Sequence, residues 1–239
     1  MTGGSLWKNI LVFSLPLMMT QMLEVLFNLS DVAIAGKYAD YIALGAVGST
    51  ALLVSLFTGI LIGMGAGVNV RTAHQLGAEK TSGSSETVAR TVYSGLIVCL
   101  IIGIILCLVC NIFARPMLET LKTKDELIES AVLYLKIYAL GMPAMAVYNF
   151  GNGVLSACGE TKKPLVYLSI AGVLNVILNI FFVVVCKKAA DGVAIASVIA
   201  QYLSASMIMC HLLRRKDSCK LRLSNKYFDT SACGGVLMI

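Results

Sequence analysis

Six apolar stretches, at about 10–36, 44–70, 91–114, 131–156, 165–186 and 192–213, constrain this chain more than anything else in it. Each is long enough to cross a bilayer core, which needs about 20 residues. Charged residues make up 13% of the chain, against about 25% in soluble domains, and the mean hydropathy is +0.84. Inside hydrocarbon the backbone must satisfy its own hydrogen bonds, which leaves helices or a closed barrel. Barrel strands alternate in apolarity over about ten residues, and these runs do not. The expected fold is an all-α membrane protein, a six-transmembrane-helix bundle.

The first stretch is too long for a cleaved signal peptide and has no small-residue cleavage site behind a short apolar core. Trp7 and Lys8 fit an interfacial anchor at its start. With the N-terminus in the cytoplasm, that side carries twelve Lys and Arg against six on the other. The positive-inside rule then puts both termini in the cytoplasm of a multi-pass plasma-membrane protein. The net charge of +6 follows from that topology and from a basic tail beside anionic lipid. It does not call for nucleic acid.

Asp31 lies inside the first stretch, where a carboxylate costs about 2.5–3.5 kcal/mol on insertion scales unless it has partners. Gln21, Glu24, Asn28 and Asp31 follow at steps of three, four and three, which places them on one face of a helix. Such a stripe must face protein or water and suits an ion or substrate pathway, with polar glue between helices as the plainer reading. Asn175 and Asn179 share a face of the fifth stretch; Ser197 and Gln201, with Ser204 beyond, share one of the sixth. Neutral oxygens around one carboxylate suit a hard cation or a proton-linked hydrogen-bond network.

Pro16 and Pro143 fall mid-stretch and predict bends, because proline removes a backbone donor and crowds the preceding turn. Gly59, Gly63 and Gly67 form a small-x-x-x-small face that predicts close helix approach. Residues 71–90 and 115–130 read as polar loops, with His74 a solvated loop residue. Tyr134 and Tyr138 fit an interfacial aromatic belt. The third stretch reads as scaffold. The eight cysteines, Cys107-x-x-Cys110 included, lack the spacing of a metal or disulfide framework and read as small hydrophobes. No nucleophile–base pair or metal-ligand cluster points to an enzyme.

Several motifs together resemble a known family. Pro16 with Asn28-Leu-Ser-Asp31, Ala43-Leu-Gly-Ala-Val-Gly48 and Gly67-Val-Asn-Val-Arg71-Thr-Ala-His-Gln-Leu-Gly77 look like the opening of the multidrug and toxic compound extrusion (MATE) transporters. Gly141-Met-Pro143, Gly159-Glu-Thr-Lys-Lys-Pro164 and Gly192-Val-Ala through Ser197 to Gln201 extend the likeness over about residues 5–215. The resemblance implies twelve helices in two six-helix lobes and antiport of H+ or Na+ against cationic amphipathic xenobiotics, with no further cofactor. It also implies a cation site within the N-terminal lobe, which falls here on Asp31, Asn175, Asn179 and Ser197. Gln21, Glu24, Asn28 and Gln201 are the expected pathway lining, and Pro16 the first-helix bend.

Asn179 stands where many relatives have a second acid, and Ser197 where threonine is usual, so the choice of ion stays open. Residues 1–216 are expected to form one lobe. Residues 217–239 are expected to be a basic cytoplasmic tail, a truncated linker to a missing second lobe. The expected partners are the bilayer, the cargo, and a second lobe or a second copy of the chain. Two alternatives stay open: a lipid-linked oligosaccharide flippase of the same superfamily, and a non-transporting membrane scaffold half. The absence of mid-span Arg disfavours the flippase, which must handle pyrophosphate.

Overall fold

Backbone hydrogen bonding carries the helices well past the apolar stretches that mark them. The structure, a computed structural model, describes residues 6–82, 85–224, 227 and 234. The elements are α1 (Leu6–Tyr38), α2 (Tyr41–Ser82), α3 (Ser85–Thr120), α4 (Asp125–Ala139), α5 (Met142–Ala157), α6 (Lys162–Ile180) and α7 (Ala190–Arg214). A π turn at Phe181–Val185 extends α6. Five helices are long and apolar enough to cross a membrane, and the bent α4–α5 pair, taken as one span, brings the number to six. The six expected stretches are all there, each somewhat longer than hydropathy drew it.

The expected loops are mostly helix. α2 has 42 residues, about 63 Å at 1.5 Å per residue, roughly twice the hydrocarbon thickness. Residues 71–82, His74 among them, therefore continue α2, and 85–90 already belong to α3. Residues 83 and 84, at the centre of that expected loop, lie outside the described residues. The expected 115–130 loop shrinks to Leu121–Lys124.

Local chemistry sets these ends. Asp40 caps α2 by accepting from the Ala43 N–H at 2.7 Å. α3 closes with Lys122 at φ 55°, where the Thr123 N–H reaches Leu118 O and the Lys122 N–H reaches Glu119 O. That is the paired 6→1 and 5→2 pattern of a Schellman stop. α5 closes the same way on Gly159 at φ 83°, with Glu160 N to Leu155 O and Gly159 N to Ser156 O, both 2.9 Å.

Of the two expected proline bends, the structure breaks the chain at one. α4 and α5 meet at 45° across Leu140-Gly141, where Pro143 in the first turn of α5 cannot donate to the preceding turn. α7 holds this break: Tyr202 Oη donates to Leu140 O at 3.1 Å. A Cβ on Gly141 would lie 1.6 Å from Gln201 Oε1, so a larger residue there would push that amide aside. α1, by contrast, continues unbroken through buried Pro16.

α2 and α5 form the most extensive helix pair. The glycines that bring them together are Gly65 and Gly153, and a Cβ on Gly153 would sit 2.3 Å from Gly65 O. The expected Gly59 and Gly63 face meets nothing within 4 Å. α1 touches α6 through Phe27, whose ring occupies the space a side chain at Gly172 would need. The outer rows of α1, including Leu11, Leu15, Met18, Met22, Val25 and Leu29, are exposed.

The start of the expected solvated tail folds back on the bundle. The Leu221 N–H donates to Leu212 O at 3.2 Å, Leu221 is buried, and Ser218 Oγ donates to Glu79 Oε1 at 2.6 Å. This return corrects the reading of every cysteine as an isolated hydrophobe. The Cys158 and Cys219 sulfurs meet across 61 residues of sequence, with Cα atoms 7.3 Å apart. Cys99, Cys107, Cys110, Cys186 and Cys210 are free. Most of residues 225–239 lie outside the described residues.

Candidate functional site: a buried carboxylate ring and its cavity

Three helices bring Asp31, Asn175, Asn179 and Ser197 together, and all four are buried. Asn179 Nδ2 donates to Asp31 Oδ1 at 2.7 Å and to Asn175 Oδ1 at 3.2 Å. Asn175 Nδ2 donates to Ser197 Oγ at 3.1 Å. Ser197 Oγ donates in turn to Asp31 Oδ2 at 2.6 Å. The result is a closed hydrogen-bond ring in which each carboxylate oxygen accepts one short, charge-assisted bond. The i, i+4 spacing of Asn175 and Asn179 presents both amides to α1.

A metal ion at Asp31 does not fit this ring as it stands. Both carboxylate oxygens already face donors, and Asn179 Oδ1 is the one amide oxygen of the ring left without a partner. A cation would have to turn away Asn179 Nδ2 and the Ser197 hydroxyl proton. A proton fits better. Ser197 Oγ carries one hydrogen and can reverse its role, whereas Asn179 Nδ2 can only donate, so an added proton belongs on Oδ2. Among the described residues no group of three or more His, Cys, Asp or Glu is arranged to hold a metal.

Beside the ring lies a cavity of about 50 Å³ whose walls include Glu24, Asn28, Thr58, Tyr138, Tyr148 and Gln201. It has room for a few waters and is far below the roughly 300–1,000 Å³ of drug-sized pockets. Of the expected pathway residues, Glu24, Asn28 and Gln201 line it together with Asp31. Gln21 does not. It lines a neighbouring groove of about 260 Å³ with Met18, Asn69, Asn149, Asn152 and Ser156.

Sequence reasoning passed over several of these walls. Tyr134 and Tyr138 are not an interfacial belt: both are buried and stacked, with ring centroids 5.9 Å apart. Tyr148 is buried and donates to Pro164 O at 3.1 Å. Thr58 stands three residues after Ser55 in an apolar run, a weak signal because helix hydroxyls commonly bond their own backbone carbonyls.

At the inner end, by the orientation expected from the positive-inside count, Glu160 sits among Lys163 Nζ at 2.7 Å, Arg215 Nη1 at 3.1 Å and His211 Nε2 at 3.5 Å. Burial pushes its carboxyl up, but Lys163, Arg215 and His211 outweigh that and hold it below the ordinary Glu value. Asp217 is lowered by its hydrogen bonds to Arg215. At the other end Asp191 raises Lys188 across a 2.7 Å pair.

The chain resembles known transporters throughout. The MatE family model matches residues 16–181. The probable multidrug resistance protein YpnP of Bacillus subtilis is 26% identical over 90% of this chain and 47% of its own length. The probable multidrug resistance protein NorM of Thermotoga maritima is 23% identical over 88% and 45%. A solved MATE structure in a bent conformation superimposes with a TM-score of 0.88 at 22% identity, covering 98% of this chain and 51% of that one. The chain thus spans about half the length of these relatives and has the fold of one transporter lobe. It belongs to the MATE family of multidrug and toxic compound extrusion transporters.

Proposed function

We propose that this chain is the N-terminal, proton-coupled lobe of a secondary active multidrug exporter, which exchanges H+ inward for cationic amphipathic compounds outward. The observation that carries the reading is the ring that closes on Asp31, with Asn179 at 2.7 Å and Ser197 at 2.6 Å. A carboxylate so held accepts two bonds when charged. When it gains a proton on Oδ2, it must donate to Ser197 Oγ, whose own hydrogen then points elsewhere. Protonation therefore rewires contacts between α1, α6 and α7, and a change of that kind links charge to helix position.

Cargo, being larger than the 50 Å³ cavity, belongs at the groove that Gln21, Asn69 and Asn152 line, against a second lobe. Rocking of two lobes about a central site is the usual route to alternating access. In this reading the protein sits in the plasma membrane, and the excess of Lys and Arg on one side supports an orientation with both ends of the lobe in the cytoplasm. The test is proton-driven ethidium efflux from proteoliposomes that hold this lobe fused to a second six-helix lobe. Efflux that follows an imposed pH gradient supports the reading. Efflux indifferent to that gradient sinks it.

A further inference from the structure

The segment that leaves α7 is held to the inner end of the bundle by contacts that need no covalent bond. Arg215 Nη1 reaches Glu160 Oε1 at 3.1 Å, and the same guanidinium pairs with Asp217. Ser218 Oγ donates to Glu79 Oε1 at 2.6 Å. The Leu221 N–H donates to Leu212 O at 3.2 Å, and the Leu221 side chain is 1% exposed. These contacts flank Cys219 on both sides and seat it against Cys158, the C-cap residue of α5. Cys219 is buried and Cys158 half-buried. Both line a groove of about 420 Å³ whose walls include Leu76, Gly77, Glu79 and Asp217, a volume that suits a small-molecule thiol. The other cysteines among the described residues are free.

By the orientation drawn from Lys and Arg, this end of the bundle faces the cytoplasm. There the thiol pool keeps most cysteines reduced, and the pairs that do form are usually transient or redox-sensing. We propose that Cys158 and Cys219 form a site of reversible exchange with a small disulfide of the glutathione class, and that the bond they make latches the segment after α7 to α5. The more accessible Cys158 thiolate attacks one sulfur of the small disulfide and expels one small thiolate. The Cys219 thiolate then attacks the Cys158 sulfur of that mixed disulfide and expels the second. Two protein thiols become one disulfide, one small disulfide becomes two small thiols, and the two protons pass to those thiols.

Placement favours the second step. Because the flanking contacts hold the two residues side by side without the bond, closure is intramolecular and competes well against another small thiol. The same contacts keep the reduced pair ready to close again. The meaning of the latch for transport rests on the two-lobe reading, in which residues 215–221 begin the connection to a second lobe. When oxidised, that connection is tied to α5 and its free length shortens, which damps the rocking of the lobes. The exchange itself is a property of the chain alone.

The experiment equilibrates the purified 239-residue chain in nanodiscs with glutathione buffers from fully reduced to fully oxidised, then quenches, alkylates and digests with trypsin. The readout is the disulfide between peptide 137–162, which carries Cys158, and peptide 217–220, which carries Cys219. The linked fraction should rise about tenfold or more from reduced to oxidised buffer and fall again on return. It should vanish in Cys158→Ser and in Cys219→Ser. The Leu221 amide should exchange its hydrogen several-fold more slowly in the oxidised chain than in the reduced chain or in Cys219→Ser. No link in oxidised buffer overturns the proposal, as does a link that survives reduced buffer, which would make the bond a permanent strut. Equal Leu221 exchange in both states overturns the latch. Proton-driven efflux by a two-lobe form is measured separately and stands or falls without these results.

Discussion

Ser197 on α7 and Asp31 on α1, 166 residues apart, share a 2.6 Å hydrogen bond inside a bundle whose other buried contacts are mostly apolar. In the proton-coupled reading proposed above, that bond is the point at which a change of protonation becomes a change of helix contact. Replacing the carboxylate by an amide keeps the volume and removes the titration. In a two-lobe form, Asp31→Asn should insert and fold like wild type while proton-driven efflux drops to the level of empty vesicles. Ethidium release after a pH jump measures this. Retained proton-driven efflux would identify the ring as packing glue.

Gly65 and Gly153 make a second test, of packing. Adding a methyl at Gly153 drives it to 2.3 Å from Gly65 O, and overpacking of this kind costs about 1–3 kcal/mol. Gly153→Ala should lower the thermal midpoint of the detergent-solubilised chain. Gly63→Ala meets nothing within 4 Å and should be neutral or stabilise the lone lobe by up to about 1 kcal/mol through helix propensity. Size-exclusion recovery after heating compares the two, and equal loss in both would contradict the α2–α5 contact.

Glu160 predicts a pH dependence. Its folded value is lowered from the ordinary 4.5, so the unfolded chain takes up the proton first as pH falls. The stabilisation it lends to the α5–α6–α7 corner is therefore complete above about pH 4.5 and disappears as pH drops through the lower folded value. Wild type should be more heat-stable than Glu160→Gln near neutral pH, and the gap should close in acid. Glu160 is partly exposed, so salt should shrink the gap too. A pH-independent gap would remove the cluster as its source.

Alone, the lobe has no opposing wall for cargo. The 239-residue chain expressed in a pump-deficient host should leave ethidium accumulation unchanged. Restored efflux without any second lobe would show that two copies pair into a working pump.

The bent α4–α5 pair, taken as one span, separates the α3–α4 turn at Leu121–Lys124 from the α5–α6 turn at Gly159-Glu160. Single cysteines at Thr123 and Gly159 should accordingly label with membrane-impermeant maleimide from opposite faces, position 159 from the cytoplasmic side. Labelling of both from one face would refute the six-span topology.

Hydropathy alone determined that the chain is helical and membrane-spanning, because transfer of about 20 apolar residues into hydrocarbon outweighs every other local preference. Periodicity put Asn175 beside Asn179 and placed Glu24 and Asn28 on the face of Asp31, since neighbours three and four apart share a helix face whatever the surroundings. The family resemblance then named the four ring residues. The break at Pro143 was equally legible, as a helix break is a property of a single residue.

What only the tertiary structure decided depends on which helix meets which. Hydropathy measures transfer into lipid and is blind to helix that runs on into water, so α2 outlasted its apolar stretch by 12 residues at its inner end. Small residues license close approach without naming the partner, so Gly65, not Gly59 or Gly63, met α5. Tyr138 and Thr58 became cavity walls, Gln21 went to a separate groove, and Cys219 returned to Cys158 across 61 residues, because contacts between distant parts of a chain arise from global packing. No spacing rule along one helix encodes them. The same limit explains why the ring around Asp31 could be guessed and the unpartnered Glu24 Oε2 could not: partners can be inferred from pattern, but a missing partner is visible only once every neighbour is in place.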